Sequence, residues 1–182
     1  MTVSHRWHKP TIVGDLVTLR PMCSADADAA WEMVNDPEGT DLTATVATFT
    51  FEQISEWVST RNEQDQRLDL AIVENATGEY VGEAVLNEYD AESDSANFRI
   101  SLRGPAWFGR RLGGEATELV VRHGLGSIGL TSITLGVLAR NPRARKAYER
   151  AGFQVVGQIE EDGEQWIDMA IHCDTVRILS AP

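Results

Sequence analysis

Hydrophobic spacing changes period twice along the chain. Leu16-Val17-Thr18-Leu19-Arg20 alternates up to Pro21 and predicts a strand. Ser24 fits an N-cap for a helix through Ala29, Ala30, Trp31 and Met33 that stops near Pro37. Thr50, with Gln53 three places on, forms an approximate capping box. Phe51, Ile54, Trp57 and Val58 give the helix behind it an apolar stripe. From Leu68 the period falls to two. Residues 68–73, 80–89 and 96–102 read as three strands joined by short turns, which favours an antiparallel meander. Helical spacing returns after Gly113-Gly114 with Ala116, Leu119, Val120 and His123. Ile133, Leu135 and Val137 mark another strand, Pro142 opens a compact helix ending at Gly152, and 153–159 with 165–171 read as a hairpin around Asp162-Gly163. The predicted order, β-α-α-β-β-β-α-β-α-β-β, is a mixed α/β domain whose sheet starts antiparallel. The helix before Ile133 allows one parallel crossover.

A chain of 182 residues is expected to form one domain over 1–182, with residues 1–14 as an N-terminal arm. The 42% hydrophobic and 24% charged fractions suit a packed core and exclude wholesale disorder. A net charge of −12 disfavours nucleic acid and anionic membranes as partners. Cys23 and Cys173 each lack a nearby second thiol, which argues against a disulfide framework or a cysteine zinc site. No signal-like stretch opens the chain, and no apolar run approaches the roughly 18 residues of a membrane span. A cytoplasmic protein is the expectation.

Two segments carry candidate chemistry. The first, Arg103-Gly104-Pro105-Ala106-Trp107-Phe108-Gly109-Arg110-Arg111-Leu112-Gly113-Gly114, is a glycine-rich turn leading into a helix N-terminus. Free N–H groups, the positive end of the helix dipole and two arginines would suit a phosphate. A flexible loop with two solvated arginines fits the same residues. The absence of a Gly-Lys-Ser/Thr ending excludes a Walker loop, and the spacing of a Rossmann fingerprint is also absent. The second segment runs from Asn141 to Phe153. Ala144, Ala147, Tyr148 and Ala151 share an inward stripe, while Arg143, Arg145, Lys146 and Arg150 lie around the polar side. A tyrosine packed beneath a basic surface helix is the plainer reading.

The Asn-x-x-Ala-x-x-x-Tyr-x-x-x-Gly-Phe pattern of 141–153, supported by Gly113-Gly114-Glu115-Ala116, resembles the GNAT superfamily of acyl-CoA-dependent N-acyltransferases, most closely its RimJ/RimL-type branch. The resemblance spans nearly the whole chain, from Leu16 to Asp168. It implies a GNAT-like mixed, mostly antiparallel sheet with a splayed parallel strand pair flanked by helices. It implies acetyl-CoA as acyl donor and no metal. The pantetheine arm would pair with backbone near Ser101, Leu102 and Arg103, and the pyrophosphate would rest on the N–H groups of Arg110, Arg111, Leu112, Gly113 and Gly114. Asn141 would touch the pantetheine, Arg145 belongs with the cofactor-binding residues, and Tyr148 would place its hydroxyl near the thioester sulfur. One departure stands out. In the preferred register the family's first loop glycine is Arg111, a residue without glycine's freedom for positive φ.

The implied reaction is direct attack of an amine on the thioester. Tyr148 is the proton donor to the departing thiolate, and backbone at Leu102 would stabilise the carbonyl oxygen. Glu83, which interrupts the apolar strand 81–86, is the leading base, with a solvent-facing strand position as its alternative. Glu88, Asp90 and a water chain are the other candidates, and Asn97 cannot serve. Trp31, Trp57 and Trp107 either line the acceptor mouth or pack in the core. The acceptor is an amine on a small molecule or a protein N-terminus, homodimerisation is common among relatives, and a non-catalytic acyl-CoA sensor remains the competing class. Residues 99–150 hold ten Arg/Lys against three acids, a charge of +7, and the remainder carries −19. That split sets a cofactor half against an acidic half suited to a cationic acceptor.

Overall fold

In the computed structural model, which describes residues 7–174, the alternating segments join into one eight-stranded sheet. Its strands are β1 (Ile12–Val13), β2 (Val17–Pro21), β3 (Leu68–Glu74), β4 (Tyr80–Asp90), β5 (Ser95–Leu102), β6 (Ser132–Leu138), β7 (Gln154–Glu161) and β8 (Glu164–His172). They lie in the order β1-β2-β3-β4-β5-β6-β8-β7. Every pairing is antiparallel except β5 with β6, which run parallel through a helical crossover. The meander and the closing hairpin are as expected. Asp162 (φ 52°) and Gly163 (φ 79°) make the two-residue turn that matches strand twist.

The helices are α1 (Ala27–Val34), α2 (Pro37–Leu42), α3 (Phe51–Thr60), α4 (Leu112–Arg122) and α5 (Pro142–Arg150), and a π-helical turn (His123–Ile128) extends α4. Three features differ from the sequence reading. The arm is not featureless: Trp7 is buried, and β1 pairs with β2. Residues 24–26 form a 3₁₀ turn ahead of α1, with the Asp26 carboxylate accepting from Cys23 N–H at 2.8 Å. Pro37 starts a helix instead of ending one. Asp36 caps α2 by accepting from Gly39 N–H at 2.7 Å, and proline at the first helical position suits a helix start. The capping box of α3 forms as predicted between Thr50 and Gln53.

Both faces of the sheet are covered. Leu70, Ile72, Ala84, Leu86 and Phe98 pack against Leu112, Ala116, Leu119 and Val120 of α4. On the other face Ala71 and Tyr80 join Ala30, Met33, Ile54 and Val58 of α1 and α3. Strand β4 is therefore buried on both sides, which accounts for its continuous apolar run around Glu83. No helix among the described residues is long and apolar enough to cross a membrane.

Candidate active site

The parallel pair supplies an opening. Residues 95–97 of β5 pair with 132–134 of β6, and pairing stops there although both strands continue. Beyond Asn97 the outer edge of β5 is unpaired. Arg103 N–H donates to Val81 O at 2.8 Å, so Arg103 and, two residues back, Ser101 direct their backbone groups to β4. A Cβ on Gly82 would stand 2.2 Å from Ser101 O, which is why glycine occupies that position. The N–H groups of Ile100 and Leu102 alternate toward the gap. Leu102 O is used locally, accepting from Gly104 N–H at 2.8 Å.

The glycine-rich turn brings α4 to the mouth of this gap. Arg111, its N-cap, sits in the left-handed region at φ 66°, ψ 0°. That is the conformation a glycine would supply, so the register that puts Arg111 at the first loop glycine matches the backbone. Leu112 is buried and holds the first turn to the core. A Cβ on Gly113 would lie 3.5 Å from Leu102 Cδ1, so the helix starts directly against the end of β5. A Cβ on Gly109 or Gly114 would meet nothing within 4 Å, so the space before the first turn is open. The N–H groups of Leu112, Gly113 and Gly114 have no intrahelical acceptor. Free donors, open space and the helix dipole fit the pyrophosphate of a CoA.

Charges around the turn are partly committed. Arg103 pairs with Glu32, and Arg110 pairs with Glu74 while stacking over Trp107 at 4.9 Å. Arg145 is tied to Glu149 at 2.9 Å, one helical turn away. Arg111 is exposed and forms no ion pair among the described residues. Asn141 caps α5, accepting from Ala144 N–H at 3.2 Å, and donates to Leu42 O at 3.5 Å. Its buried amide ties α5 to α2 beside the gap.

Tyr148 and Glu83 lie on opposite faces of the sheet. The Tyr148 ring packs edge-on against Phe98 (6.3 Å) and Phe153 (6.0 Å), on the face covered by α4. Burial pushes the pKa of its hydroxyl up to about 12, so it keeps its proton throughout the neutral range. Glu83 stands opposite Ala71 on the α1/α3 face and is 4% exposed, which removes the solvent-facing alternative. Burial raises its pKa above the usual carboxylate range, Arg99 at 3.2 Å opposes the rise, and Asp69 adds to it. Its Oε2 is buried without a partner. Glu88 and Asp90 are exposed at the far end of β4, and Asn97 donates to Asn87 at 3.1 Å.

The arginines around Glu83 escaped the sequence reading. Arg61, Arg67 and Arg99 belong to three separated segments, and no local motif links them. Glu115 was visible only as a motif position. Its carboxylate accepts the N–H groups of Asp15, Leu16 and Val17 at 2.9, 2.7 and 2.8 Å and moors the β1–β2 turn to α4. Of the tryptophans, Trp31 is 38% exposed and packs edge-on against Phe51 at 6.3 Å, whereas Trp57 and Trp107 carry arginines on their faces.

Residues 17–154 match the family model of the acetyltransferase (GNAT) domain. No curated protein sequence matches the chain. Among solved structures, spermidine N-acetyltransferase from Vibrio cholerae in complex with CoA and spermine superposes with a TM-score of 0.81 at 18% identity, over 89% of this chain and 98% of that one. A GNAT-family acetyltransferase from Bacillus anthracis gives 0.78 at 18% identity, over 91% and 99%. AAC(6')-Ib in complex with paromomycin and acetyl-CoA gives 0.77 at 20% identity, over 92% and 99%. At such identities the likeness speaks for the fold, while the family match covers most of the sequence. The chain belongs to the GNAT acetyltransferase family.

Proposed function

We propose that this protein transfers an acetyl group from acetyl-CoA to a primary amine by direct attack, as a RimJ/RimL-type member of its family. One observation carries the reading: beside the gap between β5 and β6, Glu83, opposite Ser101 of β5, lies on one face of the sheet, and Tyr148, packed on Phe98 of β5, lies on the other. Acetyl-CoA supplies the activated thioester. The N–H groups of Leu112, Gly113 and Gly114, with the Arg111 guanidinium, hold its pyrophosphate. Leu102 N–H points to where the carbonyl oxygen gains charge. Glu83, with Oε2 unengaged, takes the proton from the attacking amine, and Tyr148 returns one to the leaving sulfur. Approach of donor and acceptor from opposite faces puts base and acid on the correct sides.

The fold neighbours that bind spermine or paromomycin place polyamines and amino sugars among the amines to test. The competing reading is a sensor that binds acetyl-CoA without turnover. Titration with acetyl-CoA followed by free-thiol release over an amine panel separates the two. Transfer requires thiol release with stoichiometric N-acetylated product, and saturable binding without release on any amine rejects it.

A further inference from the structure

On the Glu83 face, the sheet and the end of α3 gather five charged side chains. Ala71, Glu83 and Ser101 stand in line across β3, β4 and β5, and Asp69, Val85 and Arg99 form the next line. Arg67 holds Asp69 through bonds of 2.7 and 2.9 Å, and Arg99 holds Glu83 at 3.2 Å. Arg61, in the 3₁₀ turn that follows α3, is the fifth. Its guanidinium stacks over Trp57 at 4.9 Å, and its Nε is buried without a hydrogen-bond partner. No carboxylate pairs with it among the described residues. Burial lowers its pKa, and Arg67 and Arg99 add to the fall against Asp69 and Glu83. A guanidinium stays ionised even so. Three cations face two anions, and the two orphaned polar atoms, Arg61 Nε and Glu83 Oε2, lack complementary partners. Arg99 lies just past Asn97, where β6 departs, so the cluster borders the gap on the side away from Tyr148.

We propose that this cluster is the acceptor subsite, and that the acceptor amine carries a carboxylate of its own, which Arg61 receives while Glu83 Oε2 faces the amine. The inference rests on the transfer reading above. Arg61 is half-buried, its Nε is shut off from water without a partner, and a carboxylate offers the guanidinium two parallel hydrogen bonds. A polyamine, whose charges are all positive, would leave Arg61 unmatched. The α-carboxylate of an amino acid and an acidic side chain beside a peptide N-terminus present the same chemistry.

The test compares matched acceptors with acetyl-CoA by thiol release: leucine against leucinamide, and the peptide amide Ala-Glu against Ala-Gln. The carboxylate member of one pair is expected to show a kcat/KM about ten-fold higher, the effect of one charged hydrogen-bonded contact. The pair that shows it identifies the source. In Arg61→Ala the preference collapses through KM, and Arg61→Lys restores part of it. Equal or reversed preference in the unsubstituted protein, or a preference that survives Arg61→Ala, overturns the proposal. If no amine turns over, the transfer reading fails and calorimetry decides the subsite separately. Tighter binding of N-acetylleucine than of its amide to the CoA-loaded protein, lost in Arg61→Ala, supports it; equal binding or none overturns it.

Discussion

Arg111 holds a left-handed backbone at φ 66°, where a side chain costs roughly 1 kcal/mol. The same residue offers an unpaired guanidinium at the start of α4. Arg111→Gly is therefore expected to raise stability against urea by up to about 1 kcal/mol and to weaken CoA binding about ten-fold. Unchanged CoA affinity would mean that the backbone N–H groups suffice. Tyr148→Phe keeps the ring contacts with Phe98 and Phe153 and removes the proton. Turnover should fall about 10²-fold with CoA affinity unchanged, and full turnover rejects the acid role. Glu83 binds its proton more tightly folded than unfolded, because burial raises its pKa. Its stability effect is thus most favourable at acid pH and declines as pH rises through the window above the ordinary carboxylate value. Glu83→Gln should leave the protein at least as stable at pH 7 while turnover drops about 10²-fold or more. In the active protein kcat/KM should climb with pH through that raised pKa. Arg99→Gln, which removes the opposing charge, should move the climb to higher pH.

Among the elements, those defined by local chemistry were legible beforehand. The Thr50–Gln53 box, the Asp162-Gly163 hairpin and the Asn141-Pro142 start of α5 each satisfy their own backbone groups with neighbours in sequence. Pro37, expected to end a helix, begins one, because proline also suits a first helical position and the Asp36 side chain supplies the cap. The short β1 could not be read, since its pairing depends on a carboxylate a hundred residues away. Glu115 accepts three N–H groups from residues 15–17. Glu115→Ala should cost about 2 kcal/mol in urea unfolding, as expected for charge-assisted bonds at a half-exposed site. Hydrogen exchange at those three amides should accelerate with it. Stability within error of the unsubstituted protein would show that the turn holds without this anchor.

Across the whole molecule the two charge halves do not stay apart. Arg99, Arg103, Arg110, Arg140 and Arg143 of the basic stretch reach Glu83, Glu32, Glu74, Asp41 with Glu164, and Glu38, all outside it. Arg111, Arg122, Lys146 and Arg150 form no ion pair among the described residues, and Arg111 alone of these sits at the start of α4. Raising salt from about 0.05 to 0.5 M, which shortens the screening length several-fold, should weaken CoA binding, and less steeply in Arg111→Gln. Equal salt slopes would assign the effect to other cations.

Sequence by itself determined the order of elements from β2 onward apart from α2, the antiparallel meander and closing hairpin, the helix start after the glycine-rich turn and the Tyr148 stripe. Each follows from periodicity, caps and turn residues that act within a few positions. Tertiary structure alone decided which backbone edge of β5 is free, that Glu83 is buried and Tyr148 lies across the sheet from it, and that Arg61, Arg67 and Arg99 converge on the same face. Those facts depend on strand register and on packing between distant segments, and burial and ion pairing arise only when such segments meet.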